Sequence, residues 1–306
     1  MKFSKDFISL KNLSKEQIIH ILELSQKIKS EENETKPLSD KKVALVFEKP
    51  SNRTRVSFEV AIVELGGYPI YLDSTDIKLG ARESVKDIAK TLSRYVDAIV
   101  ARTFSHDTLI ELAKHADISV INGLSDFSHP AQAMGDIFTI KEKFGTFDKI
   151  KLAFIGDGNN VLNSLLYASS KIGLNLHIAT PAGYQPPKEV FDYAVLEAKK
   201  NGSEIILTDK PEEAAKNANI IYTDVWTSMG QENENEIRKK AFKNFQINND
   251  LVLYADKECL IMHCLPAHRG EEITDDVIDG VHSIVFDQAE NRLHVQKAIL
   301  SCYVKG

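Results

Sequence analysis

The stretch KPSNRTRVSFE (49–59) follows the apolar run VALVF (43–47) and leads into a helical pattern. It sets Ser51, Asn52, Arg53, Thr54 and Arg55 at the point where a strand hands over to a helix. Backbone N–H groups are unpaired at such a point and the helix dipole is positive, so added side-chain donors converge on an anion such as phosphate. Pro50 can stiffen the turn and Ser51 can cap the helix. A simpler reading makes Ser51 an N-cap and leaves both arginines in solvent. Arginine in a first helical turn opposes the macrodipole by about 0.3–1 kcal/mol, however, and this favours an anion socket.

Other strand ends carry further polar groups. Arg102 follows the run DAIVA (97–101), at the same edge as the first cluster. In NGLSDFSHPAQAMGD (122–136), Pro130 fits a first helical position and places His129 and Gln132 at the helix start. A neutral imidazole and an amide can hold and polarise a carbonyl; a capping arrangement explains the pair equally well. The segment AFIGDGNNVLNS (153–164) approaches a dinucleotide fingerprint but has Val161 where the third glycine belongs. The next strand ends Ala179-Thr180-Pro181 without an acid for a ribose, so NAD is rejected. Asn159 and Asn160 offer amides instead. In YTDVWTSMG (222–230), Asp224 can accept from an ammonium, with Ser228 and Met229 on a loop that Gly230 lets swing; the alternative is a surface connection around the only tryptophan. In IMHCLPAHRGEEIT (261–274), His263, Cys264 and His268 raise the question of a metal. Adjacent strand residues point to opposite faces and no partner pair supplies further ligands, so no metal is expected. A Cys-Leu-Pro turn could aim a thiol and carbonyls into a crevice, but no motif identifies a base that would make Cys264 a nucleophile.

These groups need a scaffold that collects strand ends. Nine short apolar runs, the eight from VALVF (43–47) to LIMH (260–263) and SIVF (283–286), alternate with amphipathic helical periods. That alternation predicts α/β architecture: two doubly wound parallel-sheet domains with helices on both faces, joined by interdomain helices. Ser14 with Gln17 marks a capping box at the first helix. The expected division falls near EKFGTFDKIK (142–151), giving domains 1–145 and 146–287, with a C-terminal helix over about 288–306 packing back on the first. The 306 residues are 43% apolar with a net charge of −6 and mixed signs, so no broad basic face for nucleic acid or anionic membrane is present. Three cysteines without metal-type spacing, no signal-peptide pattern and no long apolar run predict a cytoplasmic protein.

Taken together, these residues resemble the transcarbamylase family over nearly the whole chain. Ser51-Asn52-Arg53-Thr54 is similar to its Ser-Thr-Arg-Thr signature, and His129-Pro130-Ala131-Gln132 to its His-Pro-x-Gln. Asp224 to Gly230 and His263 to Pro266 match the Asp-x-x-x-Ser-Met-Gly and His-Cys-Leu-Pro of the ornithine branch. The resemblance implies transfer of the carbamoyl group of carbamoyl phosphate to L-ornithine, giving citrulline and phosphate, with no metal or organic cofactor. It also implies that Ser51, Asn52, Arg53, Thr54 and Arg102 hold the phosphate, while Arg102, Thr54, His129 and Gln132 surround the carbamoyl group. Asn160, Asp224, Ser228 and Met229 would hold ornithine, and Cys264, Leu265 and Arg292 would close the site around carbamoyl phosphate and the reacting amine. Arg102, His129 and Cys264 are the expected catalytic residues. A homotrimer, or an assembly of trimers, is implied, with the loop 74–84 and its Lys78 completing a neighbour's site. Two positions depart from the pattern: Asn52 replaces a threonine, keeping the backbone N–H without the hydroxyl, and Lys78 stands where glutamine or histidine is usual. The alternatives are transfer to another amine, such as putrescine or a modified ornithine, and a carbamoyl phosphate-binding regulator without catalysis.

Overall fold

The computed structural model describes residues 1–31, 35–75, 77, 79–80, 83–228, 230 and 232–304. The chain forms two compact units, Met1–Phe138 with Glu290–Gly306, and Thr139–Ala289.

The first unit contains α1 (Lys15–Lys29), β1 (Lys42–Phe47), α2 (Asn52–Glu64), β2 (Tyr68–Leu72), α3 (Val85–Tyr95), β3 (Ala98–Arg102), α4 (His106–His115), β4 (Ser119–Leu124) and the start of α5 (Pro130–Phe144). Its four strands run parallel in the order β2-β1-β3-β4. Val43 to Phe47 and Ala98 to Ala101 have essentially no exposed surface, as expected of central strands covered on both faces. Each large aliphatic side chain there contributes about 1.5–3 kcal/mol of burial. The capping box of α1 forms as expected, with Gln17 N donating to Ser14 Oγ and Ser14 N to Gln17 Oε1. Phe7 pairs with the outer side of β4, exchanging hydrogen bonds with Val120 and Asn122 and so covering an edge.

The second unit contains β5 (Lys151–Ile155), α6 (Asn160–Ile172), β6 (Asn175–Ala179), α7 (Lys188–Lys200), β7 (Ile205–Thr208), α8 (Pro211–Ala215), β8 (Ile220–Thr223), α9 (Asn235–Phe242), α10 (Asn249–Val252), β9 (Leu260–His263), α11 (Asp275–Ile278) and the start of α12 (Val285–Tyr303). Its five parallel strands lie in the order β7-β6-β5-β8-β9. The two parallel-sheet α/β units match the expected fold class. The division between them falls inside α5 and inside α12.

Two elements differ from the sequence reading. SIVF (283–286) is not a strand: Ser283 makes only an isolated bridge to Ile261, and α12 begins at Val285. Phe286 is 72% exposed, which a covered strand would not permit. Conversely, β7 was not expected. It is a four-residue edge strand with Ile206 turned outward, so it lacks the continuous apolar run of a central strand. Among the described residues no helix is long and apolar enough to cross a membrane.

From Glu290 onward α12 belongs to the first unit. Tyr303 packs edge-on against Phe7 and its carbonyl accepts from Ser119 Oγ at 2.7 Å. Gln296 on this helix is fully buried, and neither side-chain amide atom meets a hydrogen-bond partner among the described residues. An unpaired buried amide is penalised without compensation, whereas methionine fills similar volume without polar atoms. Gln296→Met should raise unfolding stability by roughly 1–3 kcal/mol, seen as a higher denaturant midpoint at an unchanged m-value.

Candidate active site

Three strand ends of the first unit deliver one cluster. After β1 the chain turns through Ser51, which caps α2 by accepting from Thr54 N at 3.2 Å. No acid lies in the first turn of α2. The two arginines of the motif separate: Arg55 is exposed, pairs with Glu59 at 3.0 Å and lies over the Tyr71 ring, whereas Arg53 is half-buried and acts electrostatically on Arg102 and His129. Asn52 is exposed. Arg102 closes β3, and the pairing of β3 with β4 shifts register at Ala101/Arg102, an irregularity that redirects the side chain.

Arg292 enters from α12 and donates from Nη2 to Thr54 Oγ1 at 2.8 Å. Room for it comes from Gly135 on α5, where an added Cβ would lie 3.1 Å from Arg292 Cγ. Thr54, Arg102, His129, Gln132 and Arg292 are all buried. Gln132 Nε2 donates to Asp136 Oδ1 at 2.8 Å. Burial lowers Arg102 to about 10, and the neighbouring Arg292 and Arg53 add to the shift, with only Tyr71 opposing. Burial first, and then Arg292, Arg102 and Arg53, hold His129 well below the usual histidine range. The result is a buried concentration of positive charge around a neutral imidazole, an arrangement suited to a phosphate joined to a carbonyl.

The second unit builds an acidic counterpart. Asp224 follows β8 and is buried. Its Oδ2 accepts from Asn159 Nδ2 at 2.7 Å, and its Oδ1 accepts from Val225 N at 2.8 Å and from Cys264 Sγ at 2.9 Å. Asn159 also caps α6, accepting from Val161 N and Leu162 N, which fixes its amide toward Asp224. Asn160 opens α6, and Ser228 lies beyond Asp224 on the same loop; both are half-buried. Leu265 sits beside Cys264 with a φ of 57°. Met229 and Lys78 lie outside the described residues.

A thiol that donates to a carboxylate keeps its proton, so Cys264 serves Asp224 as a hydrogen-bond donor and is not poised as a nucleophile. Ligand-type atoms of Asp224, His263 and Cys264 come within 4.8 Å of one another. Both ring nitrogens of His263 are already engaged, Nε2 with Glu272 and Nδ1 with Leu265 N, and this set therefore does not suit a metal.

Two supporting residues escaped the sequence reading. Buried Arg238 on α9 donates from Nη1 to Asp157 Oδ2 at 3.0 Å and to the Trp226 carbonyl at 2.9 Å, from Nε to Glu234 at 2.9 Å, and lies over the Tyr184 ring. It thereby ties the turn before α6 to the loop after Asp224. The turn itself requires Gly158, where a Cβ would fall 2.4 Å from the backbone of Gln185 and Pro186. Burial pushes Asp157 up to about 6 against the pull of Arg238, with Asp224 adding to the rise. The other is Glu272, fully buried against His263. The sequence offered only an arginine at helical spacing after Glu234 and a glutamate in a polar loop.

Two substitutions test these energetics. The pKa of Arg102 is lowered on folding, so its charge destabilises the folded state at every pH below about 10, and the penalty fades as pH rises from there toward 12.5. Arg102→Met should therefore stabilise the unliganded protein at pH 7 by up to about 3 kcal/mol and remove the protection that added inorganic phosphate gives the parent in thermal melts. Arg238→Met strands Asp157 in the interior and should lower stability by about 3–5 kcal/mol, followed by the fluorescence of Trp226; Arg238→Lys should lose less.

Comparison with known proteins identifies the family. The family model for the aspartate/ornithine carbamoyltransferase carbamoyl-P binding domain matches residues 5–142, and that for the Asp/Orn binding domain matches residues 148–303. The ornithine carbamoyltransferase of Pyrococcus horikoshii is 50% identical over 305 residues, covering 99% of this chain and 96% of the relative. The anabolic ornithine carbamoyltransferase of Pyrococcus furiosus is also 50% identical over 305 residues, covering 99% and 97%. The solved structure of the ornithine carbamoyltransferase from Pyrococcus furiosus gives a TM-score of 0.95 at 50% identity, covering 98% of this chain and 97% of that one. The one from Thermus thermophilus gives 0.91 at 43% identity, covering 99% and 100%. With both family models matched and full-length relatives at this identity, the chain belongs to the aspartate/ornithine carbamoyltransferase family.

Proposed function

We propose that the chain transfers the carbamoyl group of carbamoyl phosphate to the side-chain amine of L-ornithine, giving L-citrulline and phosphate. Full-length relatives named ornithine carbamoyltransferase support the activity. The single observation that carries the choice of acceptor is Asp224, a buried carboxylate that meets neutral donors among the described residues and can accept from an ammonium. With Asp157 close enough to act on Asp224 electrostatically, these surroundings disfavour an acceptor with a second carboxylate and suit one with a second amine.

In this reading residues 1–145, with the helix over about 288–306 packed back on them, bind carbamoyl phosphate. Ser51, Asn52, Arg53, Thr54, Arg102 and Arg292 take the phosphate, and Arg102, Thr54, His129 and Gln132 take the carbamoyl group. Residues 146–287 bind ornithine, with its α-amino group on Asp224 and further contacts from Asn160, Ser228 and Met229; Cys264 and Leu265 close the site around carbamoyl phosphate and the reacting amine. The neutral amine attacks the carbonyl carbon, forming the C–N bond, and charge moves onto the carbonyl oxygen. Arg102 and the neutral His129 stabilise that oxygen as preorganised donors. The C–O bond to phosphate then breaks, the phosphate leaves against the guanidinium groups, and the amine gives up its proton. Neither a metal nor an organic cofactor is required by this chemistry. A cytoplasmic homotrimer, or an assembly of trimers, with Lys78 of each loop 74–84 reaching a neighbour's site, completes the reading on the strength of the family resemblance.

Carbamoyl phosphate incubated in turn with ornithine, putrescine, N-acetylornithine and aspartate should give product with ornithine only, measured as citrulline. Product with putrescine but not ornithine would move the substrate assignment; binding of carbamoyl phosphate without any product would make the chain a regulator. Arg53→Ala should lower kcat at saturating substrates by about 10²–10³-fold, and near-parental turnover would refute the phosphate socket.

A further inference from the structure

His263 ends β9, and the two residues after it are Cys264 and Leu265. His263 and Glu272 have no exposed side-chain surface. Leu265 N donates to His263 Nδ1 at 2.9 Å, so Nδ1 carries a lone pair and the ring proton sits on Nε2. Nε2 in turn donates to Glu272 Oε1 at 2.9 Å, and the same oxygen accepts from His268 N at 2.6 Å. Glu272 is anchored by its own main chain, since its carbonyl accepts from Ile247 N at 2.8 Å.

This chain of donors has a direction. Glu272 accepts an imidazole proton, which fixes the tautomer, and the tautomer decides whether Leu265 N has an acceptor at all. With the other tautomer, Nδ1–H would face the Leu265 N–H and the bond would be lost. Leu265 depends on that bond more than most residues, because its φ of 57° lies in the left-handed region that non-glycine side chains avoid. Its neighbour Cys264 is the residue whose thiol meets Asp224.

We propose that Glu272 is a positioning residue for carbamoyl transfer: by selecting the Nε2–H tautomer of His263 it holds the Leu265 main chain, and with it the Cys264 thiol, in the geometry the reaction uses. The inference rests on the reading that Cys264 and Leu265 close the site around carbamoyl phosphate and the reacting amine. Glu272 touches no substrate in this account. The orienting carboxylate behind a working histidine is a familiar device, applied here to a histidine that shapes backbone and performs no proton transfer.

The test compares Glu272→Ala and Glu272→Gln in the full chain. Glutamine retains an oxygen for both donors, so Glu272→Gln should restore most of the activity, whereas Glu272→Ala should lower kcat with ornithine by about tenfold or more through misplacement. The ¹⁵N signals of the His263 ring should report Nε2–H in the parent and in Glu272→Gln, and a mixture or the other tautomer in Glu272→Ala. Folded Glu272→Ala with parental kcat, or failure of glutamine to rescue, would overturn the proposal. If Glu272→Ala does not fold, Glu272→Gln decides: Nδ1–H in that variant would overturn the proposal, while Nε2–H with most of the activity supports it. A parent that makes no citrulline refutes the proposed activity and this positioning role with it, and is told apart from failure of the inference alone by parental turnover with an unaffected alanine variant.

Discussion

Arg102 cannot be buried beside Arg53 and Arg292 without cost, and much of the first unit is arranged around that repulsion. The arginine closes an interior strand whose neighbours have almost no exposed surface, so solvent does little to screen its charge. Strand burial supplies the free energy that offsets it, and the shifted register at Ala101/Arg102, the N-terminus of α2 and the glycine at 135 give the three guanidinium groups their places. One consequence is chemical. A fourth cation is prohibitively expensive in such a place, so His129 remains neutral and can meet a carbonyl without competing with the arginines for the phosphate. In the proposed reading the electrostatic strain serves both affinity and polarity: an entering dianion would relieve it, and the imidazole is left in the protonation state that a carbonyl needs.

The second unit solves the opposite problem by giving two neighbouring carboxylates different partners. Asp157 is given to Arg238, which also donates to the Trp226 carbonyl and to Glu234. Among the described residues Asp224 receives an amide, a main-chain N–H and a thiol. Had Arg238 paired with Asp224 instead, the site would have been neutralised from within and an ammonium would have found no partner. The division of labour also explains why Asn159 must be an amide: one side chain caps α6 with its oxygen and orients Asp224 with its nitrogen, a double role aspartate cannot fill.

What could be read from the sequence follows the range of the interaction involved. Strand ends loaded with Arg, His, Gln and Asp were legible because polar residues after apolar runs are conspicuous, and the capping box of α1 was legible because it closes within four residues. The different fates of Arg53 and Arg55 were not, since only the phase of α2 and the positions of Glu59 and Tyr71 separate them. Arg238 meets Asp157 across 81 positions, and nothing local distinguishes it from a solvated helix residue. SIVF failed for a related reason: three apolar residues in a row suit either a strand or the first turn of a helix, and the exposed Phe286 reveals which only in three dimensions. The short edge strand β7 was missed because exposure dilutes its apolar pattern.

The longest-range contact of the basic cluster imposes a condition on folding. Arg292 reaches Thr54 across 238 positions, and the helix that carries it is fastened to the first unit by Tyr303 against Phe7 and Ser119 and by Asn291 against Lys29. None of these contacts exists until α12 has been made, although the sheet and helices that hold Arg53, Arg102 and His129 come from the first 138 residues. The first unit can therefore assemble most of its core while its charge cluster is still short of one guanidinium, which is also when repulsion within it is smallest. Arg292 is added against that repulsion by a helix whose far end is held by Tyr303 against Phe7 and Ser119. The cost of completing the site is thus met by packing at the far end of the same helix, and the separation lets the charged end be tuned for the anion while the apolar end sustains the fold.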